Sequence, residues 1–543
     1  MVCPPSGFAG GLMNLARQIF YVTRWGTSII FIGLVTGIVA ALSPPMAVAG
    51  LVVLAATLLL WALPELRLVP DRLLRKLFFV MVFVQLSVPQ YWAIQPPGLP
   101  WLSIRRVFSS AVIVLFGIVV AGSMSARSTI VETLRANRAL AVASLGFLVV
   151  LFLSILTSLN WSVSLEGFSN IIFNWYIVLL TCLVVVRNED DIILVQKLIV
   201  IAGMLVSLGG VLEFIFERRF FMDVLPKSIL DPLIAQNPVV ERMYYSSFYR
   251  EGVYRANSIY FVSLSFAEFE AMVAPLGAYF VLHGRDRRER ILGLSSIMFA
   301  LVAIFCSGSR GGWVSLLVAM PIMGFVWVVR HSKLNPHSLV SGIGALFLAL
   351  GTTVTFLLVL FWQRANRMVF GYDTGDRWLQ WEMALPHIES NPITGHGVGS
   401  SGKLIGYGVE SGMPSVDSYV ITLLVENGVP GCLLFFGAIA IAIWIGLRVY
   451  LSDRDPRGTL GSALACSLIA FGIYRTALSQ TENHPLVFVI VGLIFVMGRL
   501  AYDRRIFAQE PASSARSIRG GVGSVAAHYG GANTATRSIV AQD

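Results

Sequence analysis

Apolar runs of membrane-crossing length recur along almost the whole chain, and they constrain its fold more than any other feature. Each run holds about 17–25 residues, which is the length that a helix needs to cross a hydrocarbon layer roughly 30 Å thick. The runs do not alternate between polar and apolar residues, as the strands of a membrane barrel would. Of the 543 residues, 56% are hydrophobic and only 13% are charged. We therefore predict an all-α polytopic integral membrane protein.

The runs predict about fourteen transmembrane helices, which form a single domain over residues 1–505. The predicted spans are 26–43, 46–64, 77–94, 107–123, 139–158, 166–186, 192–216, 263–282, 291–307, 312–329, 338–361, 418–447, 460–478 and 485–501. The segment 418–447 is too long for one straight crossing, and VENGVPG at 425–431 is expected to break it. The Ser-, Gly- and Ala-rich tail 506–543 is predicted to be disordered and cytoplasmic.

Clusters of Lys and Arg in the short connections predict the orientation, because these residues prefer the cytoplasm. The basic clusters lie at 67–76, 127–138, 285–290, 330–333 and 454–457. With an even number of spans they share one side with both termini, which are therefore predicted to be cytoplasmic. The outer side receives two long segments, 217–262 and 363–416. Arg105, Arg106 and Arg310 are the exceptions to the charge bias.

Several arginines on the predicted outer side stand beside aromatic residues. Arg255 lies in the first long segment, and Arg377 precedes Trp378 in the second. One interpretation is a solvated loop with aromatic membrane anchors. The other is an anion site with flat surfaces for stacking sugars, because the planar guanidinium fits phosphate oxygens. Together with Arg310, such a site would suit the diphosphate of a lipid-linked substrate.

Arg475 lies within a predicted span, where an ionisable residue is costly and by default suggests function. Since it is near the outer end of the span, it could instead snorkel to the interface or pair with Glu482.

Four sequence blocks follow one another between residues 254 and 435. They are YRANSIYF (254–261), SGSRGGWVSLLVA (307–319), RWLQWEMALPHIESNPITGHGVGS (377–400) and VDSYVITLLVENGVPGCLLF (416–435). In this order they resemble the O-antigen ligase and polymerase superfamily of bacterial envelopes, over roughly residues 200–450. Two departures matter. The family's Asn-Pro pair is missing after Arg255, and Asp417 and Ser418 stand where the family has His-Asn.

The resemblance implies an enzyme that transfers a glycan from a polyprenyl diphosphate to an acceptor hydroxyl with inversion. The reaction would take place at the outer face of the bacterial inner membrane, with no metal and no cofactor. The hydroxyl needs a proton acceptor, and Asp417 can serve as well as a histidine. Arg310 would stabilise the departing diphosphate. Further candidates for substrate binding are Arg255, Arg377, His396 and Arg475.

Two of these candidates have a plainer explanation. Asp417 could simply cap the helix that follows it, since aspartate is a good N-cap. His396, in TGHGVG, is an alternative base, or it is part of a tight glycine loop.

The missing His-Asn pair favours a polymerase of O-antigen or exopolysaccharide repeat units over a ligase that transfers polymer to lipid A core. A rival from another class is a transporter or flippase of lipid-linked sugars, which would favour a midplane site, inverted repeats and broken helices. A structural partner of an envelope complex is a third possibility. The expected partners are a polyprenyl-diphosphate-linked oligosaccharide, membrane lipids, a chain-length regulator and a flippase, and no nucleic acid is expected.

Overall fold

Long apolar helices form the framework of the protein in the computed structural model. The structure describes residues 69–94, 102–245, 248–250, 252–335, 375–405, 416–452 and 460–509, with a few positions between 338 and 353. Within these residues nine helices are long and apolar enough to cross a membrane, as expected of an all-α polytopic membrane protein. The predicted spans 26–43 and 46–64, nearly all of 338–361 and the tail from residue 510 lie outside the described residues.

The first half of the described chain holds seven main helices and one short hairpin. They are α1 (Asp71–Ser87), the strands β1 (Ala93–Ile94) and β2 (Leu102–Ser103), α2 (Ile104–Gly122), α3 (Met124–Ala136), α4 (Arg138–Leu156), α5 (Trp161–Ile171), α6 (Ile177–Val185) and α7 (Glu189–Phe216). A π-helical turn, Ile172–Tyr176, joins α5 to α6, so that the two cross the membrane region as one element.

The segment 217–262, which is predicted to lie on the outer side, contains three short helices and a second antiparallel hairpin. These are α8 (Phe220–Asp223), α9 (Lys227–Gln236), α10 (Pro238–Tyr245), β3 (Tyr249–Arg250) and β4 (Val253–Tyr254). A small apolar core, including Met222, Leu233 and Met243, packs this segment against Tyr91, before the first hairpin, and against Ala93 of its first strand. The predicted loop is therefore a folded cap over the helices.

The second half of the described chain supplies the remaining helices. They are α11 (Ser263–His283), α12 (Arg287–Cys306), α13 (Arg310–Leu334), α14 (Gly375–Ser390), α15 (Ser401–Ile405), α16 (Tyr419–Ser452), α17 (Gly461–Tyr474) and α18 (His484–Gln509). The predicted break in the long segment 418–447 is confirmed, because Gly428 has a non-helical backbone inside α16.

Two predicted boundaries were wrong. The span predicted at 77–94 begins at Asp71, directly after Pro70, and ends at Ser87. Arg75 therefore lies inside α1, where it pairs with Asp191, and not in a loop. Residues 124–136, predicted as part of a basic connection, form the helix α3, which Ser123 caps by accepting a hydrogen bond from the Ala126 N–H.

Helix α11 lies at the centre of the bundle and is buried on nearly all sides. It packs against α7, α12, α13 and α17. Its closest approach is to α12, where a Cβ on Gly293 would lie 2.5 Å from the Gly277 carbonyl oxygen. Small residues at such crossings let two helix backbones come into contact in an apolar environment.

Ion pairs connect the predicted cytoplasmic ends of several helices. The start of α7 supplies three carboxylates, and the basic partners come from α1, α18 and the connection before α12. The pairs are Asp191 with Arg75, Asp190 with Arg285 at 2.9 Å, and Glu189 with Arg504. The basic clusters at 67–76 and 285–290 therefore lie at the same end of the bundle, as the orientation argument requires.

Candidate functional site

A chamber of about 1080 Å³ opens at the opposite end of the bundle. Its wall is built from the ends of α1, α2, α5 and α16, from the cap, and from the connection between α17 and α18. Side-chain amides and hydroxyls are frequent in the wall, among them Gln85, Asn170, Asn174 and Gln480, beside the aromatic ring of Trp175. Amides with an adjacent aromatic ring suit a ligand rich in hydroxyl groups.

Asp417 lines this chamber and is held in place by a buried glutamine of α14. Its backbone N–H donates to Gln380 Oε1 at 2.9 Å, and Gln380 Nε2 donates to the Asp417 carboxylate at 3.3 Å. Gln380 is buried, whereas Asp417 is exposed to the chamber. Since α16 begins at Tyr419, Asp417 stands two residues before the helix, and its carboxylate is engaged by the neighbouring helix.

The loop that carries His396 docks onto the break in α16. The His396 and Gly397 N–H groups donate to the Val425 and Glu426 carbonyls at 2.9 and 3.0 Å. Gly428 accommodates the contact with a φ of 67°, and a Cβ there would lie 2.6 Å from the Ile393 carbonyl oxygen. The docking places the loop after Asn391 and Pro392 directly against the Glu-x-Gly block of α16.

The imidazole of His396 faces the C-terminal end of α14. Its Nε2 lies 2.9 Å from the His387 carbonyl oxygen and 3.3 Å from Ser390 Oγ. A nitrogen that faces a carbonyl carries the proton, so Nε2 is a donor in this arrangement. His396 is not among the residues that line the chamber. The contacts favour the glycine-loop interpretation over the alternative base.

Arg255 contacts the turn between α12 and α13, which leads to Arg310. Arg255 Nε donates to the Ser307 carbonyl at 2.9 Å, and its side chain packs against Gly308, which has a φ of 60°. Arg310 then begins α13, with Ser309 as its N-cap. Arg255 lines a smaller cavity of about 340 Å³. This cavity shares Phe248, Val262 and Leu264 with the chamber, so the two spaces adjoin.

Arg310 is exposed at the helix N-terminus, where the partial positive charge of the helix adds to that of the guanidinium. It lines neither of these two cavities. Arg377 lies in the first turn of α14, and its side chain is outside the described part of the structure.

Arg475 is fully buried and is paired with Glu268 of α11, not with Glu482 as one alternative expected. Its Nε donates to Glu268 Oε1 at 2.7 Å and its Nη2 to the other carboxylate oxygen. Its backbone carbonyl accepts from the Tyr419 N–H at 3.0 Å. The guanidinium is thus directed into the protein core. Through its side chain Arg475 contacts α11, and through its backbone carbonyl it contacts the start of α16.

Glu482 instead belongs to the chamber wall. Its Oε1 accepts from the Phe261 N–H at 3.0 Å, and burial raises the pKa of its carboxyl. Sequence reasoning assigned no chemical role to Glu482, Gln380, Arg105 or Arg106. The signal for the two arginines was present, because they violate the charge bias of the outer face.

In the described part of the chain, no group of three or more His, Cys, Asp or Glu side chains could hold a metal ion. Within the described residues, the chain is a polytopic helical membrane protein with a polar chamber at one end, and the wall of that chamber includes Asp417, Arg105 and Arg106.

The comparison with known families identifies this class more closely. Residues 294–436 match the family described as O-Antigen ligase, which confirms the resemblance to the O-antigen ligase and polymerase superfamily. Members of this family are glycosyl-transferring enzymes, and the match supports ligase- or polymerase-type activity without separating the two. The matched region includes Arg310, Arg377, His396 and Asp417. No curated protein matches the chain.

Proposed function

We propose that the protein polymerises lipid-linked oligosaccharide repeat units of O-antigen or exopolysaccharide, at the outer face of the bacterial inner membrane. The observation that carries the proposal is the position of Asp417. It lines a chamber whose amide side chains suit a ligand rich in hydroxyl groups, and the adjoining cavity is lined by Arg255. The family match supports glycosyl transfer in general.

In the proposed reaction the acceptor hydroxyl oxygen attacks the anomeric carbon of the donor sugar. The bond between that carbon and the diphosphate oxygen breaks, and the diphosphate leaves with the electron pair. Asp417 takes the hydroxyl proton as general base. Arg255 contacts the turn that precedes Arg310, and the two arginines would stabilise the charge that develops on the leaving diphosphate.

The contact with Gln380 gives Asp417 a defined orientation. An amide that donates to one carboxylate oxygen leaves the other free to accept a proton. This arrangement is better suited to a base than to a helix cap, because the groups that engage Asp417 come from α14.

The replacement Asp417→Asn tests this role. The amide keeps the shape and can still cap a helix, but it cannot take a proton, so we expect transfer to be lost while the protein folds normally. The assay uses purified protein with a polyprenyl-diphosphate repeat unit, and scores the length of the product ladder on a gel. Asp223→Asn is the matched control, since Asp223 is an exposed carboxylate of the cap that lines neither cavity. Normal ladders from Asp417→Asn would remove Asp417 from the mechanism.

A ligase that transfers polymer to lipid A core is the second candidate, because the matched family is described as O-Antigen ligase. It would use the same base and the same diphosphate donor with a different acceptor. Product ladders formed from repeat units alone support the polymerase. Transfer that occurs only after lipid A core is added supports the ligase.

A further inference from the structure

The N-terminus of α2 contributes two arginines to the chamber wall. Arg105 and Arg106 both line the chamber, and Ser103 caps the helix by accepting a hydrogen bond from the Arg106 N–H at 3.2 Å. Arg105 is only 8% exposed. Its Nε donates to the Val88 carbonyl, but its Nη2 has no hydrogen-bond partner among the described residues. Leaving a buried guanidinium N–H unsatisfied costs free energy, which a bound acceptor group would recover.

Glu482 presents a second unsatisfied atom to the same chamber. Its Oε2 is buried and has no hydrogen-bond partner in the described part of the chain, although Oε1 accepts from the Phe261 N–H. Burial raises the pKa of this carboxyl, whereas the positive charge of Arg105 lowers it, so the two side chains interact electrostatically. When it is protonated, the Glu482 carboxyl can donate a hydrogen bond to an anionic oxygen held by Arg105.

The two pairs of arginines share no cavity wall. Arg255 lines the smaller cavity, next to the turn that leads to Arg310, whereas Arg105 and Arg106 line the chamber that contains Asp417. If the first pair serves the donor diphosphate, the second pair serves a different anion. An enzyme that joins two repeat units must hold two diphosphates, one on the donor and one on the acceptor.

We propose that Arg105 and Arg106 form a second anion subsite, which binds the diphosphate of the acceptor repeat unit. This inference rests on the proposed polymerase function and deepens it, since it assigns the acceptor to the polyprenyl-diphosphate-linked class. The volume of the chamber exceeds the roughly 300–1,000 Å³ of ordinary small-ligand pockets, so an acceptor sugar fits beside the charged group.

The test compares two acceptors that carry the same sugar. One has a prenyl diphosphate, in which a CH₂ group replaces the anomeric oxygen so that it cannot act as a donor, and the other has an uncharged alkyl chain. With the full-length wild-type protein we expect the KM of the diphosphate acceptor to be about tenfold or more below that of the alkyl acceptor, because the diphosphate accepts charge-assisted hydrogen bonds from the arginines. Arg106→Gln, at an exposed position, should remove most of this advantage, and Arg105→Gln should do the same. Arg218→Gln, an exposed arginine outside both cavities, is the control and should keep it.

A binding measurement keeps this inference separable from the proposed function. Calorimetric titration of the purified protein with farnesyl diphosphate should give two equivalents for the wild type and one for Arg106→Gln, whether or not transfer occurs. One equivalent in the wild type, or two in both arginine variants, would overturn the second subsite. If the arginine replacements raise the KM only for a phosphorylated lipid A core acceptor, the subsite does not bind the diphosphate of a repeat unit. Failure of Asp417→Asn to abolish transfer would instead refute the proposed base and leave the subsite standing.

Discussion

Replacing Glu268 by Gln should destabilise the protein more than any exposed charge replacement. The change keeps the shape of the side chain, but it leaves the guanidinium of Arg475 buried, at 0% exposure, without a counter-charge. Breaking a buried pair from one side typically costs about 3–5 kcal/mol. Asn483 Nδ2, which donates to the Glu268 carboxylate at 2.8 Å, would also lose an ionised acceptor. We expect a loss of about 3–5 kcal/mol in reversible unfolding by SDS in mixed micelles.

Two further variants test whether Glu268 and Arg475 form a buried ion pair. Changing Glu268 and Arg475 to Gln together removes both buried charges, so the double variant should be more stable than Glu268→Gln alone. Asp190→Asn breaks an exposed pair with Arg285 and should cost less than about 1 kcal/mol. If Glu268→Gln costs no more than Asp190→Asn, or if the double variant is simply additive, the two side chains do not form the buried ion pair described above.

Two other predictions concern the site and the loop that supports it. Arg310→Ala should reduce polymer formation by on the order of a hundred- to a thousandfold while the protein remains normally abundant. Arg310→Lys should restore little activity, because the ammonium group is a point charge and lacks the planar fork of the guanidinium. Full polymer yield from Arg310→Ala in the ladder assay would show that this arginine only anchors the protein at the interface. Gly428→Ala should lower stability by about 1–3 kcal/mol or more, since it strains a positive φ and meets the Ile393 carbonyl at 2.6 Å. Gly437→Ala, on the same helix with nothing within 4 Å, is the control, and equal melting temperatures for the two variants would contradict the docking of the loop on α16.

The sequence singled out candidate residues for the site, but it did not predict the contacts that position them. The block resemblance singled out Asp417, Arg255 and Arg310, and the family match covers two of these three residues. It could not show that Gln380 holds Asp417, because that contact joins residues 37 positions apart in the chain. Nor could it place Arg105 in the chamber wall, since a charge at the start of a span has the same sequence appearance whether it faces lipid headgroups or a chamber.

The sequence by itself determined the class of fold, because the length and apolarity that a helix needs to cross a membrane are local properties that can be counted along the chain. Its basic clusters likewise predicted which helix ends share a side, and the ion pairs around α7 agree. Only the tertiary structure decided which charges meet. Arg475 pairs with Glu268, 207 residues away, and not with the nearby Glu482, which turns to the chamber instead. Partners of this kind depend on which helices cross and how closely they approach, and those distances are set by packing among all the helices together.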